Sequence, residues 1–573
     1  MDYILIKSEI QKFWKGDIED SVETLEQYSH DASLFEVRPA LVVFPKDSAD
    51  ICNIVKWVSE NKTKYPGLSL TPRSAGTCMS GGPLNTSIIL DVTRYMNTIH
   101  SVEKVSPYMM QPKFPGAHTV EISGTARVMP GCMYRDFEEA TLKEGLLLPC
   151  YTASKSINAV GGMIGNNSAG ELTLRYGKTE DYVQELKVVF ADGHEYVVRP
   201  LTRRELYKKI TETTFEGQVY KQMFEMIKEH ESFIKGAKPS VSKNSAGYYL
   251  WNVLIRAEKE EDDIFDLTQV IVGSQGTLGI VTEITFKLVD KLPMSKLVVV
   301  FMNDLTALGD VVQELLETKP ISIESYDDKT FSLGMKFFGD FIKSKGFFET
   351  IKFGLSFIPE FFMVLTGGVP RIILLAEYAG RDENEIDALA EYAREHIAHR
   401  NLKVRVTKSE REAQKYWTMR HDSFALLRNH VQGKRTMPFI DDIIVRPEFL
   451  PEFLPKVNAL IGEYPELMYT IAGHAANGNF HIIPLINAHD KDIPDIVLDL
   501  SQKVYDLVLS YHGSIDAEHN DGIIRTPYLE QMYGKEIVAL FQKTKDTFDP
   551  KNMFNPGKKV GGTKDDIKKA LEK

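Results

Sequence analysis

The stretch TPRSAGTCMSGG, Thr71–Gly82, follows a short apolar run and sets Gly76, Gly81 and Gly82 among small residues. Small side chains at 74–77 let a ligand approach the main chain. Successive loop N–H groups form a concave anion site suited to a pyrophosphate. Two common nucleotide signatures fail here: the spacing is not G-x-G-x-x-G, and the Lys-Ser/Thr of a P-loop is missing. Alone, the loop reads equally well as a surface turn. Its neighbours add weight. ALVVFP (40–45) reads as a strand, and SADICNIVKWVSENK (48–62) as a capped helix with Ile51, Ile54, Val55 and Val58 on one face. LSLTPR and SIILDVTR read as strands either side of the loop. This order predicts an α/β or α+β nucleotide-binding unit.

Two more glycine-rich stretches follow. GGMIGNNSAG (161–170) crowds four glycines and two adjacent asparagines into ten residues. It also carries Met163 and Ile164, with Val160 just before, so it is expected to pack closely rather than serve as a flexible linker. IVGSQGTLGIVTE (271–283) reads as strand, glycine turn, strand. The region near 216–235 reads as helical. From about 293 the texture changes: KLVVVFM, IILLAEYAG and DDIIVRPE read as strands, and ENEIDALAEYAREHIAHR as a helix. That is the pattern of a second, α+β domain. The last fifty residues turn helical and end in the irregular FDPKNMFNPGK. A Phe-rich stretch at 335–368 reads as a helical insertion packed on the second domain, or as a segment lying on a membrane surface.

Composition narrows the function. The 573 residues suit roughly two to four domains. A net charge of -12 argues against a nucleic-acid partner. Cys52, Cys78, Cys132 and Cys150 show no C-x-x-C spacing. That argues against a disulfide scaffold, a zinc finger and a bound iron–sulfur cluster, and fits a reducing, cytoplasmic setting. The N-terminal region has no signal-peptide run, and no segment offers about 20 uninterrupted apolar residues. Any membrane contact is therefore expected to be peripheral, on the inner face.

The second half carries the reactive side chains. IAGHAANGNFHII (471–483) places His474 and His481 around an Asn-Gly-Asn turn. On a flat strand their odd separation would put them on opposite faces. A tight hairpin turn at Asn477-Gly478 would let them converge. SIDAEHNDGIIR (514–525) adds Glu518 and His519, which in isolation read as a surface pair. Together, two imidazoles and a carboxylate suit Zn²⁺ or a similar divalent ion, with positions left open for substrate.

Taken together, these motifs resemble the vanillyl-alcohol-oxidase-like, PCMH-type flavoproteins, and among them the D-lactate dehydrogenase, glycolate oxidase and D-2-hydroxyglutarate dehydrogenase family. The family's R-G-A-G-T-x-x-S-G-G appears as Arg73 to Gly82, and its G-G-M-x-x-N-x-x-G as Gly161 to Gly170. Its G-S-E-G-T-L-G-I appears as Gly273 to Ile280, with Gln275 for the usual Glu, and its D-P-x-x-x-x-N-P-G-K as Asp549 to Lys558. The resemblance covers nearly the whole chain. It implies an α+β fold: a two-part FAD-binding domain over 1–290, rejoined by 521–573, and a substrate (cap) domain with an antiparallel sheet over 291–520. It implies FAD contacts from Arg73, Ser74, Ala75, Gly76, Thr77, Gly81, Gly82, Gly161, Gly162, Asn166, Ser168 and Gly170. Gly273, Gly276, Thr277, Gly279, Ile280 and Asn555 complete that set. Covalent relatives carry a histidine after the loop glycine; Thr77 stands there, so the FAD is expected to be non-covalent.

The family's G-H-x-G-D-G-N-x-H and E-H-G place the metal on His474, His481 and Glu518 and the catalytic base at His519. Ala476 and Asn477 depart from that pattern, as do Asn520 and Asp521 after His519. Arg420 in YWTMRHDSF matches the family's W-x-x-R arginine, a bidentate anchor for a substrate carboxylate. A lysine that some relatives place before the D-x-x-V strand is missing; MPFIDDIIV stands there, which favours a small D-lactate-like 2-hydroxy acid. The implied activity is metal-assisted oxidation of a D-2-hydroxy acid to the 2-oxo acid, with electrons passed to a quinone, an electron-transfer protein or oxygen rather than to NAD. Two rivals stand beside it: a flavin-dependent transferase of the alkylglycerone-phosphate synthase kind, which has a histidine where Glu518 sits, and a non-catalytic FAD-binding electron-transfer subunit. The iron–sulfur module that some relatives carry past N-P-G-K is expected on a separate polypeptide. A homodimer is the expectation from general frequency.

Overall fold

The strands Leu41–Phe44, Ile88–Asp91 and Leu70–Arg73 lie side by side and parallel, with Asp17–Glu19 antiparallel at one edge. Parallel strands need a crossover, and Ser48–Asn61 supplies the one from Leu41–Phe44 to Leu70–Arg73, on the far side of Ile88–Asp91. Its start is fixed by Asp47, whose side chain accepts from Asp50 N at 3.0 Å. Its face of Ile51, Ile54, Val55 and Val58 is fully buried on this sheet. The computed structural model describes residues 1–113, 118–329, 368–430, 434–487 and 492–571. The Phe-rich stretch lies outside these, apart from Gly368. Among the described residues no helix is long and apolar enough to cross a membrane, and all four cysteines are free thiols.

A second, antiparallel sheet runs in the order Ile99–Met110, Val120–Val128, Ile280–Asp290, Val183–Val189, Glu195–Val198. The chain's C-terminal part returns to the first sheet: Leu70 N donates to Met553 O at 2.8 Å and Asn555 N to Leu70 O at 2.9 Å. Beyond the expected irregular tail, Lys564–Leu571 forms a further helix, which buries Ile567 and Ala570.

The third sheet has eight strands, all antiparallel, and carries the histidines. Its order is Lys403–Val406, Met294–Met302, Ile372–Gly380, Ser322–Asp327, Met468–His474, Asn479–Asn487, Lys434–Thr436, with Ile443–Ile444 also paired to Asn479–Asn487. Alternation along each strand divides its side chains between two cores. Val298 and Val300 face helices such as Leu308–Glu317 and Glu383–His396, whereas Leu297 and Val299 join Ala413, Tyr416 and Met419 of the helix Glu410–His430. Tyr326 and Ala472 belong to this second face, and the same alternation puts Glu324 and His474 there with them.

Four local expectations differ from the structure. GGMIGNNSAG opens as a helix, Val160–Asn166, because Val160, Met163 and Ile164 have a core to enter. The segment before the third glycine turn is also helical, Thr268–Ile271, not a strand: Asp266 accepts from both the Thr268 N–H (3.0 Å) and its hydroxyl (2.6 Å). A short apolar run does not by itself distinguish the two. DDIIVRPE pairs only at Ile443–Ile444, since Asp442 has φ +65° and Pro447 opens a 3₁₀ turn. The histidine hairpin closes not by a two-residue Asn-Gly turn but by a 3₁₀ turn, Ala475–Asn477, followed by Gly478 at φ +69°. A Cβ on Gly478 would come within 1.9 Å of Val445 O, so glycine is required there.

Candidate active site

The hairpin register explains the histidines. Ala472 pairs with His481 and His474 with Asn479, so His474 and His481 stand on one face, diagonally across two strands. Their ring centroids are 5.3 Å apart. His474 Nδ1 meets Glu324 Oε1 at 2.6 Å, and His481 Nδ1 meets Asp441 Oδ1 at 3.2 Å. With Nδ1 engaged by a carboxylate, Nε2 is the nitrogen left to coordinate. Both Nε2 atoms approach Glu518, His474 at 3.2 Å from Oε1 and His481 at 3.8 Å from Oε2. One ligand atom from each of the three side chains lies within 4.8 Å of the others. This donor set, two imidazoles and one carboxylate with oriented rings, fits a divalent ion.

Glu518 and His519 are delivered by one carboxylate. Asp442 Oδ2 accepts from Ala517 N, Glu518 N and His519 N at 3.1, 2.6 and 2.7 Å, while its Oδ1 accepts from Asn479 in the hairpin at 3.0 Å. The positive φ of Asp442 therefore does more than end a strand. It turns a carboxylate onto the loop that carries Glu518 and His519. Asp441, its neighbour, meets both rings: Oδ1 bonds His481 Nδ1, and Oδ2 lies 2.8 Å from His519 Nδ1 as a charge contact. Those two rings stack at 5.2 Å. The fully buried Arg525 holds the Asp441 carbonyl with Nη2 at 2.6 Å.

Charge is dense here. Burial alone would raise the Glu518 carboxyl, yet Lys243 and His474 hold it well below its ordinary range. Glu324 behaves likewise: burial is outweighed by His474 and Arg420, and it sits at about 2. Arg420 donates to it from Nε at 3.2 Å and pairs through Nη2 at 3.1 Å. Burial would lower His519, but Asp442 and Asp441 push it up to about 9 with no ion present.

Arg420, Asp441, His474, His481, Glu518 and His519 line a cavity of about 780 Å³ together with the three glycine-rich segments and with residues from 30–32 and 152–159. All but four of the residues expected at a cofactor line it. Gly81, Gly273, Thr277 and Asn555 stand behind the wall and brace it. Asn555 Nδ2 donates to Gly82 O at 2.9 Å and to Gln275 O at 2.8 Å. Thr277 donates to Ser274 O at 2.7 Å, Gly273 O accepts from Asn520 at 2.8 Å, and Gly81 has Phe35 and Ile523 where a Cβ would go. Gly162 and Gly165 belong to the wall itself. A Cβ on either would meet no other atom nearer than 3.8 Å and would enter the cavity. The wall therefore suits a large, flat group lying close to the main chain, as FAD requires. Gly162→Leu is expected to leave the fold intact and weaken FAD binding roughly tenfold or more, since overpacking costs about 1–3 kcal/mol. Flavin titration against the variant's melting temperature checks this.

Residues 39–199 match the FAD binding domain, and residues 292–559 match the FAD linked oxidases, C-terminal domain. The chain belongs to the FAD-linked oxidase family. It is 27% identical to the D-2-hydroxyglutarate dehydrogenase of Pseudomonas putida over 553 residues, which cover 95% of this chain and 50% of the relative. It is 26% identical to the glycolate oxidase subunit GlcD of Bacillus subtilis, covering 93% of this chain and 91% of that one. The chain thus spans about half the length of several D-2-hydroxyglutarate dehydrogenases that it matches. A solved alkyldihydroxyacetonephosphate synthase superposes with a TM-score of 0.64 over 97% of this chain and 85% of its own, at 15% identity. That likeness is one of fold.

Four residues of this site gave no sign of their role in the sequence motifs: Glu324, Asp441, Asp442 and Lys243. The doublet Asp441-Asp442 before an apolar pair was visible in DDIIV and marks charges too costly to bury without partners. Glu324 and Lys243 gave no local signal.

Proposed function

We propose that this chain oxidises a small D-2-hydroxy acid to the 2-oxo acid with non-covalent FAD and a divalent ion, zinc being the first choice. The observation that carries the reading is the convergence of His474, His481 and Glu518, each oriented by a carboxylate or an ammonium, in the lining of a flavin-sized cavity. When bound, the ion supplies positive charge that polarises the substrate hydroxyl and lowers the proton affinity of His519 beside it, and the flavin supplies the electron sink. Arg420, fixed by Glu324 at the cavity wall, pairs with the substrate carboxylate. Asp441 holds the His519 ring by Nδ1, which leaves Nε2 to take the hydroxyl proton. Asp442 fixes the main chain under both Glu518 and His519. Small glycine-segment residues exclude bulk water and bring the substrate carbon against the cofactor plane.

Two features favour a small monocarboxylate. Arg420 supplies a cationic side chain to the described cavity lining, beside His474, His481 and Glu518 in that lining, and Pro438 and Ile483 line the same cavity. Phe439 and Ile440 turn away into the core. Electrons are proposed to leave for a quinone or an electron-transfer protein. Glu518 favours oxidation over the transferase reading, because a carboxylate completes the ligand set. The test is anaerobic mixing of the FAD-loaded protein with D- and L-lactate, glycolate and D-2-hydroxyglutarate. D-lactate is expected to bleach the flavin fastest, with D-2-hydroxyglutarate at least tenfold slower. A flavin that no 2-hydroxy acid reduces rejects the oxidase reading.

A further inference from the structure

Lys243 is the one lysine that reaches the ligand carboxylate among the described contacts. Its side chain is wholly buried, and Nζ lies 2.5 Å from Glu518 Oε1 and 3.3 Å from Gly170 O. It comes from the segment SVSKNSAGYY and crosses to a residue 275 positions away. It stands outside the cavity lining, behind Glu518, while Gly170 belongs to the wall. Its ammonium therefore touches neither substrate nor cofactor space. It ties the metal-ligand carboxylate to the backbone of the second glycine-rich segment.

We propose that Lys243 is a positioning residue that holds Glu518 by one oxygen and loosens the site's grip on a divalent ion. The inference rests on the reading of His474, His481 and Glu518 as a metal centre. Oε1 is shared between the ammonium and His474 Nε2, 3.2 Å away, whereas Oε2 faces His481 Nε2 at 3.8 Å and is the oxygen left to be presented to the ion. Glu518 then serves as a one-oxygen ligand, and the remaining coordination positions stay open for the substrate hydroxyl and carboxylate. Charge acts in the same direction twice. The ammonium repels a cation bound to the same carboxylate, and it compensates Glu518 when no ion is bound. Both effects lower affinity, because whatever stabilises the ion-free state subtracts from binding.

The experiment compares wild type, Lys243→Met and Lys243→Gln as FAD-loaded proteins, stripped with a chelator and titrated with Zn²⁺ alone against a chromophoric competitor. Lys243→Met is expected to bind Zn²⁺ roughly tenfold more tightly: partners of metal ligands commonly change affinity on that scale when removed, usually downwards, and the sign reverses here because this partner is itself a cation. Its ion-free melting temperature falls, and Zn²⁺ raises it more than in wild type. Lys243→Gln keeps a hydrogen-bond donor without the charge and follows Lys243→Met; it also carries the test should Lys243→Met not fold. Affinity unchanged or weakened in both variants overturns the proposal. A wild type that takes up no Zn²⁺ rejects the metal-centre reading itself, and this inference falls with it.

Discussion

His519→Ala is expected to slow flavin reduction by substrate at least 100-fold, roughly the lower end of what a positioned proton acceptor contributes, while FAD stays bound. The geometry says why the loss should be confined to chemistry. The His519 ring stacks on His481 and contacts Asp441, but the loop's position comes from main-chain N–H groups on Asp442, which the substitution leaves in place. Asp441 keeps His481 as a partner, so no buried carboxylate is stranded. The ligand atoms of His474, His481 and Glu518 are unchanged, and metal content should match wild type. Rapid mixing under anaerobic conditions measures the step. Wild-type reduction kinetics in the variant would remove His519 from the proton-accepting role and leave the metal reading standing.

How much of this site was legible depended on how far each contribution travels along the chain. The glycine segments were readable because their requirement is local: a wall with no room for side chains needs glycine in any fold that holds such a group. Their secondary structure was less so. Glycine disfavours helix, yet Val160–Asn166 is helical because a core awaits Val160, Met163 and Ile164. Two of the proposed ligands, His474 and His481, were visible as a pair only if the strand turned back between them, as the register Ala472–His481 shows that it does. The groups that orient them were not visible. Glu324 reaches His474 across 150 residues, and Asp441 reaches His481 across 40, through strand pairing that no local pattern announces. The departures at Ala476 and Asn477 bear on this too. Both are buried, and Asn477 donates to Ser242 at 2.9 Å, so the turn is held by an amide contact to the neighbouring segment rather than by a carboxylate.

His474→Ala should lose most of its metal, with affinity down roughly 100-fold or more, because one of three ligands is gone and the ion has few replacements. It is the cleaner of two possible deletions. Glu324 loses one partner but keeps Arg420, at 3.1 and 3.2 Å, so the buried carboxylate stays paired. Glu518→Ala also removes a ligand, but it strands the buried Lys243 ammonium. Breaking one side of a buried pair costs about 3–5 kcal/mol. That variant should therefore show both metal loss and a lower melting temperature, whereas His474→Ala shows metal loss nearly alone. The pair of measurements separates ligation from stability. Elemental analysis after gel filtration reports the ion, and thermal unfolding of the FAD-loaded protein reports the fold. Full metal occupancy in His474→Ala would remove that residue from the ligand set. If instead both variants lose the ion and only Glu518→Ala loses stability, Glu518 serves two cations at once: the bound ion through one oxygen and Lys243 through the other.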